Sequence, residues 1–425
     1  MANDTRDDSV VSRILHASAG QAPFLSGDRP WWDDLDPDFW RHEEPFELEG
    51  RRDTRSIRAT AATDHVIRAV FAGLLSAVAL PVGYHPGKLG ELRRHMDFYG
   101  PLAEAGDPHA FLRAPPDRVS VRVKPPGRTG FRPWDGEAEE LSFESPFEPL
   151  HPDLRGPWAT KRSNRIARAR YWRHRHGPRP TLVAVHGFAA EAYAVNEWFF
   201  NLPWLYGMGC DVLLVTLPFH GRRQSRLSPF SGHGFFSSGL GWTNEAFAQA
   251  VHDIRLFVRY LLDQRGVPAV GVTGVSLGGH TSALVASVEE RVSFAIPNVP
   301  VASLVDLVLQ WAPMGTAARA LLKATGTTIP ELRRLAAVSC PLTWDPVVPL
   351  QNRMIIGGVG DRLAPPKHSR LLWEHWDQCR IHWFPGSHLV HLDRGAYLWQ
   401  VARFLRSIGF LPEDHPAPER APRTA

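Results

Sequence analysis

Ser276 stands in Gly274-Val275-Ser276-Leu277-Gly278, after an apolar run holding Val270 and Val272 and before a small-residue stretch from Gly279 to Val288. A strand that turns sharply into a helix presents one side chain to solvent only if the residues two positions either side are small. Gly274 and Gly278 meet that condition, so Ser276 is a candidate nucleophile. A serine hydroxyl is unreactive at its own pKa and needs a base beside it, which in turn needs a carboxylate to fix its tautomer. Downstream, Arg353 to Asp361 reads as a buried strand ending on an acid, and Arg380 to His388 as another ending on a histidine. Both side chains would then sit just past the carboxyl ends of parallel strands, where open α/β sheets hold their ligands.

Each assignment has competitors. His391 lies three residues beyond His388, but its position suits the start of the next helix, so His388 is the expected base. Asp306 and Asp345 rival Asp361 as the orienting acid, although capping a helix or closing a turn is the ordinary use of such residues. Upstream, Thr181 to Phe188 is a further buried strand running into a His-Gly turn. The backbone N–H groups of Leu277 and Phe188 are the expected donors to a developing oxyanion. His382, His388, His391 and Asp393 do not have the spacing of a metal site, and no metal or other cofactor is expected.

These residues need a sheet to hold them. Runs at 181–185, 211–217, 269–273, 292–296, 353–357 and 380–384 read as strands, with helices between them at 243–264 and 366–376. That alternation predicts a mostly parallel α/β sheet, preceded by shorter extended runs at 119–123, 141–143 and 165–172. Residues 300–349 hold more helix than one crossover needs, with runs at 304–311, 317–324 and 330–337, and read as an inserted helical cap. The division expected is an N-terminal extension at 1–117, a core at 118–299 and 350–412, the cap at 300–349 and a Pro-rich flexible tail at 413–425. In the extension, 64–80 and 87–99 read as helices, the first closed by Pro81 and Gly83 and the second by Gly100-Pro101; the Trp-rich start would wrap the core.

Composition narrows the partners. The 425 residues carry a net charge of +4 with 22% charged residues, too little excess to imply a nucleic acid. Cys210, Cys340 and Cys379 are odd in number and widely spaced, which suits free thiols in a reducing cytoplasm, and the acidic start lacks a secretory signal pattern. The apolar run Val66 to Val82 includes Arg68 and Pro81 and reads as a packed helix, with peripheral membrane contact the weaker reading. Lys161 to Arg179 holds eight Lys or Arg and no acid, the pattern of a solvated edge strand or, less simply, of a surface for phosphate groups or anionic lipid. Gly221 to Gly241, with Arg222, Arg223, Arg226, Phe235 and Phe236, is a candidate substrate loop.

Taken together, roughly Glu139 to Gly409 resembles an α/β-hydrolase. Within that superfamily, Gly271 to His280 and Leu217 to Arg223 resemble a branch known simply as hydrolase domain proteins, and the tail from Asp361 to His388 fits it. The resemblance implies an eight-stranded, mostly parallel sheet flanked by helices. It also implies a serine hydrolase that cleaves a carboxylic ester of a small molecule or lipid through an acyl-enzyme, with lipid deacylation among the roles. An acyltransferase would use the same Ser276, Asp361 and His388, and a non-catalytic binding protein on the same fold is the alternative from another class.

Overall fold

The computed structural model describes residues 23–43, 54–83, 86–127, 130–190, 193–393 and 395–411. Among them one sheet runs in the order β1-β2-β3-β5-β4-β6-β7-β8-β9. Its strands are β1 (Arg122–Lys124), β2 (Gly136–Glu144), β3 (Ile166–His174), β4 (Thr181–Val185), β5 (Asp211–Thr216), β6 (Val270–Val275), β7 (Val292–Asn298), β8 (Met354–Gly358) and β9 (Arg380–Phe384). The first three pair antiparallel with their neighbours, and β5, β4, β6, β7, β8 and β9 run parallel. Every residue of β4 and β5 is buried, as strands covered by helices on both faces must be. All nine extended runs read from the sequence overlap strands of this sheet, one more than the eight that the resemblance implies. The additional one is β1, a three-residue edge whose side chains are all exposed and which is held by backbone pairing to β2.

The helices that matter for the site are α1 (Thr54–Gly83), α2 (Leu89–Glu104), α3 (Leu240–Arg259), α4 (Leu277–Ala286), α5 (Leu304–Gln310), α6 (Met314–Thr325), α7 (Ile329–Ala336), α8 (Pro366–His375) and α9 (Ala396–Ser407). Helix α1 begins ten residues before the sequence pattern suggested and includes Pro81. Helix α2 likewise passes through Gly100-Pro101 to Glu104. Tyr99 and Ala103 are both buried, so packing of that face carries the helix past a local stop signal. Helix α7 starts with a capping box, in which Thr328 and Glu331 satisfy each other's backbone N–H groups. Among the described residues, no helix is long and apolar enough to cross a membrane.

The basic run is not an edge. Strand β3 lies between β2 and β5, and its arginines meet acids that the register of β2 brings opposite or diagonal to them. Arg173 Nε reaches Glu139 at 2.7 Å, Arg165 reaches Glu144 at 2.5 Å, and buried Arg170 contacts Glu140 and Glu197, each at 3.0 Å. The sequence shows the arginines as a block but scatters their partners elsewhere. Three of the run's eight cations, Arg165, Arg170 and Arg173, are thus paired with acids.

The segment 23–43 lies against the core, with Trp31, Trp32, Leu35 and Phe39 buried. Two buried cations fasten it. Lys367 Nζ donates to the carbonyls of Phe39, Trp40 and His42 at 2.8, 3.0 and 2.9 Å. Arg333 donates to the carbonyls of Leu35 at 2.6 Å and Asp36 at 2.9 Å while pairing with Asp306. A charge taken out of water must find such partners for all its donors. Cys210, Cys340 and Cys379 are all buried and free, and burial raises each thiol pKa.

Candidate active site

Ser276 occupies the single residue between β6 and α4, with φ 57° and ψ −113°. An L-residue pays strain to adopt this conformation, and the surroundings must over-determine it. They do: Ser276 N donates to Asn298 O at 2.9 Å, and Ser276 O accepts His280 N at 3.0 Å. The flanking glycines are required by close approach. A Cβ on Gly278 would lie 1.9 Å from Val185 O, and one on Gly274 would lie 2.1 Å from Gly278 O. The turn thus packs backbone on backbone between β4 and α4, leaving the serine as its projecting side chain.

Asp361 and His388 lie on the loops that follow β8 and β9. His388 Nδ1 is 2.6 Å from Asp361 Oδ2. The other carboxylate oxygen of Asp361 accepts the N–H groups of Leu363 at 2.9 Å and Ala364 at 2.8 Å. An ionised carboxylate only accepts, so the imidazole must donate from Nδ1, which leaves Nε2 as its free lone pair. Burial disfavours the imidazolium, but the Asp361 charge and hydrogen bond outweigh it and hold His388 above its ordinary pKa, with Asp64 adding in the same direction.

The rival residues go elsewhere. Asp306 is fully buried in an ion pair with Arg333 and accepts from the Ser303 hydroxyl. Asp345 is exposed. His391 does not begin a helix: it bridges to Gly386, stacks on Phe384 with ring centroids 3.9 Å apart, and is driven down to about 3 by burial.

Ser276, Leu277, Phe188 and His388 all border one cavity of about 540 Å³. Leu277 is the first residue of α4, where N–H groups lack partners within the helix. The turn after β4 abuts the serine, since a Cβ on Gly187 would lie 3.6 Å from Ser276 Cβ. His186 shapes that turn: its Nε2 accepts Leu217 N at 3.0 Å, so Nδ1 carries the proton and donates to Gly187 O at 2.8 Å. Its burial lowers its pKa to about 4, which keeps it neutral. His280, four residues after the serine, lies between the carbonyls of Val301 and Ser339 at 2.6 and 2.7 Å and ties α4 to the segment around α5 and α7.

The rest of the cavity wall is apolar. Leu304 and Val308 of α5, Trp311, and Leu321 and Leu322 of α6 contribute to it. So does Phe236 from the 221–241 segment, its ring 5.3 Å from that of Phe188. Two arginines of that segment are engaged within the protein: Arg223 is fully buried against Asp253 at 2.7 Å, and Arg222 pairs with Glu140 at 3.0 Å. The wall that sequence reasoning missed is α1, which supplies Ile67, Phe71 and Leu75. The same helix brings buried Asp64 to the backbone of Arg362 and His388. The signal available was the spacing of these residues at 64, 67, 71 and 75, one face of a helix; what that face packs against is not local information.

Comparison with known proteins agrees with this architecture. No family model matches the chain. Among solved structures, it is similar to acetyl xylan esterase 1 from Thermoanaerobacterium sp. (TM-score 0.50, 16% identity, 73% of this chain and 93% of that one). It is also similar to the acetyl xylan esterase of Paenibacillus sp. (TM-score 0.50, 12% identity, 76% and 99%). At that identity the likeness is one of fold, and the fold is that of the α/β-hydrolases. In sequence, the chain is 31% identical over 365 residues to the uncharacterised protein Rv2627c of Mycobacterium tuberculosis (strain H37Rv), covering 82% of each, and equally to MT2702 of strain CDC 1551. The chain has the α/β-hydrolase fold and belongs to the family of these mycobacterial proteins.

Proposed function

We propose that the protein is a serine hydrolase that cleaves carboxylic esters with an extended apolar acyl group. The observation that carries this reading is the 2.6 Å contact of His388 with Asp361, on an imidazole that borders the same cavity as a strained, projecting Ser276. In the proposed reaction Ser276 Oγ attacks the ester carbonyl carbon while His388 Nε2 takes the hydroxyl proton. The backbone N–H groups of Leu277 and Phe188 receive the oxyanion. The tetrahedral adduct collapses, the C–O bond to the alcohol breaks, and His388 returns the proton to the departing alkoxide. Water, deprotonated by the same imidazole, then attacks the acyl-enzyme and releases the acid and free Ser276. Asp361 keeps Nδ1 protonated and offsets the charge on the ring throughout.

The apolar lining supports the acyl preference, since burying each methylene contributes about 0.8 kcal/mol. The two fold neighbours are themselves called esterases, which is compatible with ester chemistry without fixing the substrate. The test is a series of aryl esters of increasing acyl length, with the acid product quantified against any ester formed with added alcohols. Hydrolysis that rises with chain length and disappears in Ser276→Ala supports the reading. Acyl transfer to alcohol as the dominant outcome would make the protein a transferase with the same residues, and turnover that persists in Ser276→Ala would overturn the nucleophile assignment.

A further inference from the structure

Helix α1 precedes the sheet in the chain, yet it docks on the two loops that hold Asp361 and His388. Asp64 is fully buried on that helix. Its Oδ2 accepts the N–H of Arg362 at 2.9 Å and the N–H of His388 at 2.8 Å. One oxygen thus joins the residue next to Asp361 and the backbone of His388 itself. We propose that Asp64 is a positioning residue for the Asp361–His388 pair, setting the separation of the two loops and so the direction in which the His388 ring faces Ser276. This inference rests on the serine-hydrolase reading above.

Two further contacts place α1 on the same loop. Arg68 Nη1 donates to Arg362 O at 3.2 Å, one turn after Asp64. Two turns before it, Ile57 packs so closely on the loop that a Cβ on Gly360 would lie 2.8 Å from Ile57 Cγ2. Further along the same face, Ile67, Phe71 and Leu75 line the cavity. Without the carboxylate, the backbone N–H groups of Arg362 and His388 would lose their shared partner, while Gly360 N would still donate to Gly386 O at 2.7 Å between the same loops, nearer the sheet. The residue acts by charge as well as by geometry. Asp64 faces His65 and Arg68 on its own helix, Asp361 and Arg362 on the loop after β8, and His388 on the loop after β9, with Glu43 also in the local field. Its charge and that of Asp361 both favour a protonated His388.

The two roles separate in two variants. Asp64→Asn retains an oxygen acceptor of the same shape and removes the charge, while Asp64→Ala removes both. Steady-state kinetics on one ester across pH, with thermal melting to establish folding, should give Asp64→Ala a kcat lower by about 10–100-fold, as for a displacement of about 1 Å at a reacting group. KM should stay within about twofold. Asp64→Asn should recover most of the kcat, but with the acid limb of kcat/KM moved to lower pH. Wild-type kcat in a folded Asp64→Ala would overturn the proposal, and an acid limb in Asp64→Asn that coincides with wild type would overturn its charge component. If Asp64→Ala does not fold, the kcat of Asp64→Ser, which shortens the side chain and removes the carboxylate, is read in its place with the same loss expected. Ser276→Ala is measured beside them: activity surviving there would defeat the hydrolase reading itself, a result distinct from an unmoved limb in Asp64→Asn.

Discussion

Asp361 and Asp306 are two fully buried carboxylates with opposite kinds of partner: Asp361 meets an imidazole at 2.6 Å, and Asp306 meets the Arg333 guanidinium at 2.6 Å. Arginine does not give up its proton in a protein, so a guanidinium partner cannot carry a proton to or from a substrate. The His388 pair can gain and lose a proton next to the cavity, which is what base catalysis requires. The partner, more than the burial, separates the acid that can support chemistry from the one that holds the fold.

Of the two neighbouring histidines, His388 should be the one on which turnover depends. His388→Ala should lower kcat/KM by several orders of magnitude, comparably to loss of Ser276, because nucleophile and base act as a unit. His391→Ala should cost little beyond the packing on Phe384 and Tyr397. Kinetics on both variants check this, and equal loss in the two would contradict the assignment.

The pH dependence should have two opposed parts. His388 must be neutral to accept a proton, and its pKa is raised, so kcat/KM should fall as pH drops through a midpoint above about 6.5. For stability the sign reverses: a raised folded pKa stabilises fully below about 6.5, and that contribution fades as pH rises through the folded value. His95 and His186 act the other way. Burial lowers each to about 4, so the unfolded chain binds their protons first and stability falls between about 6.5 and 4, by about 1.4 kcal/mol per pH unit for each. A kcat/KM profile and urea midpoints from pH 8 to 4 measure both parts; a flat urea midpoint below pH 6.5 would count against buried neutral histidines.

Arg333 joins α7, α5 and the N-terminal segment through Asp306 and two carbonyls. Arg333→Met should leave Asp306 buried without its cation and cost about 3–5 kcal/mol in chemical denaturation. The double variant with Asp306→Leu should recover much of that loss. A single variant as stable as wild type would show that water or another group reaches Asp306.

The cavity wall from α1 and α6 should set chain-length preference. Across an acyl series kcat/KM should rise about fourfold per methylene until the space is full, following about 0.8 kcal/mol each. Leu75→Trp should shift the optimum to shorter chains by occupying the cavity, while leaving the shortest ester near wild-type rates. An unchanged profile would place the acyl group elsewhere.

Much of the sheet was legible because its strands are buried runs bounded by turns, and the Ser276 elbow because a sharp strand-to-helix turn requires small residues on either side of the serine. The loops after β8 and β9 were legible as strand ends. What was not legible depends on distant partners. The arginines of β3 look like an exposed block until Glu137, Glu139, Glu140 and Glu144 arrive in register. Helix α2 ignores Gly100-Pro101 because Tyr99 and Ala103 are buried. Asp64 looks like an ordinary acid on an apolar helix, and only the three-dimensional meeting of α1 with two loops gives it a role.

The most direct measurement is mass spectrometry of the protein after reaction with a fluorophosphonate, which labels an activated serine. The account predicts one adduct on the peptide containing Ser276 in wild type. It also predicts no adduct in Ser276→Ala and a labelling rate reduced by orders of magnitude in His388→Ala. Undiminished labelling of Ser276→Ala, or an adduct on a different residue in wild type, would contradict it.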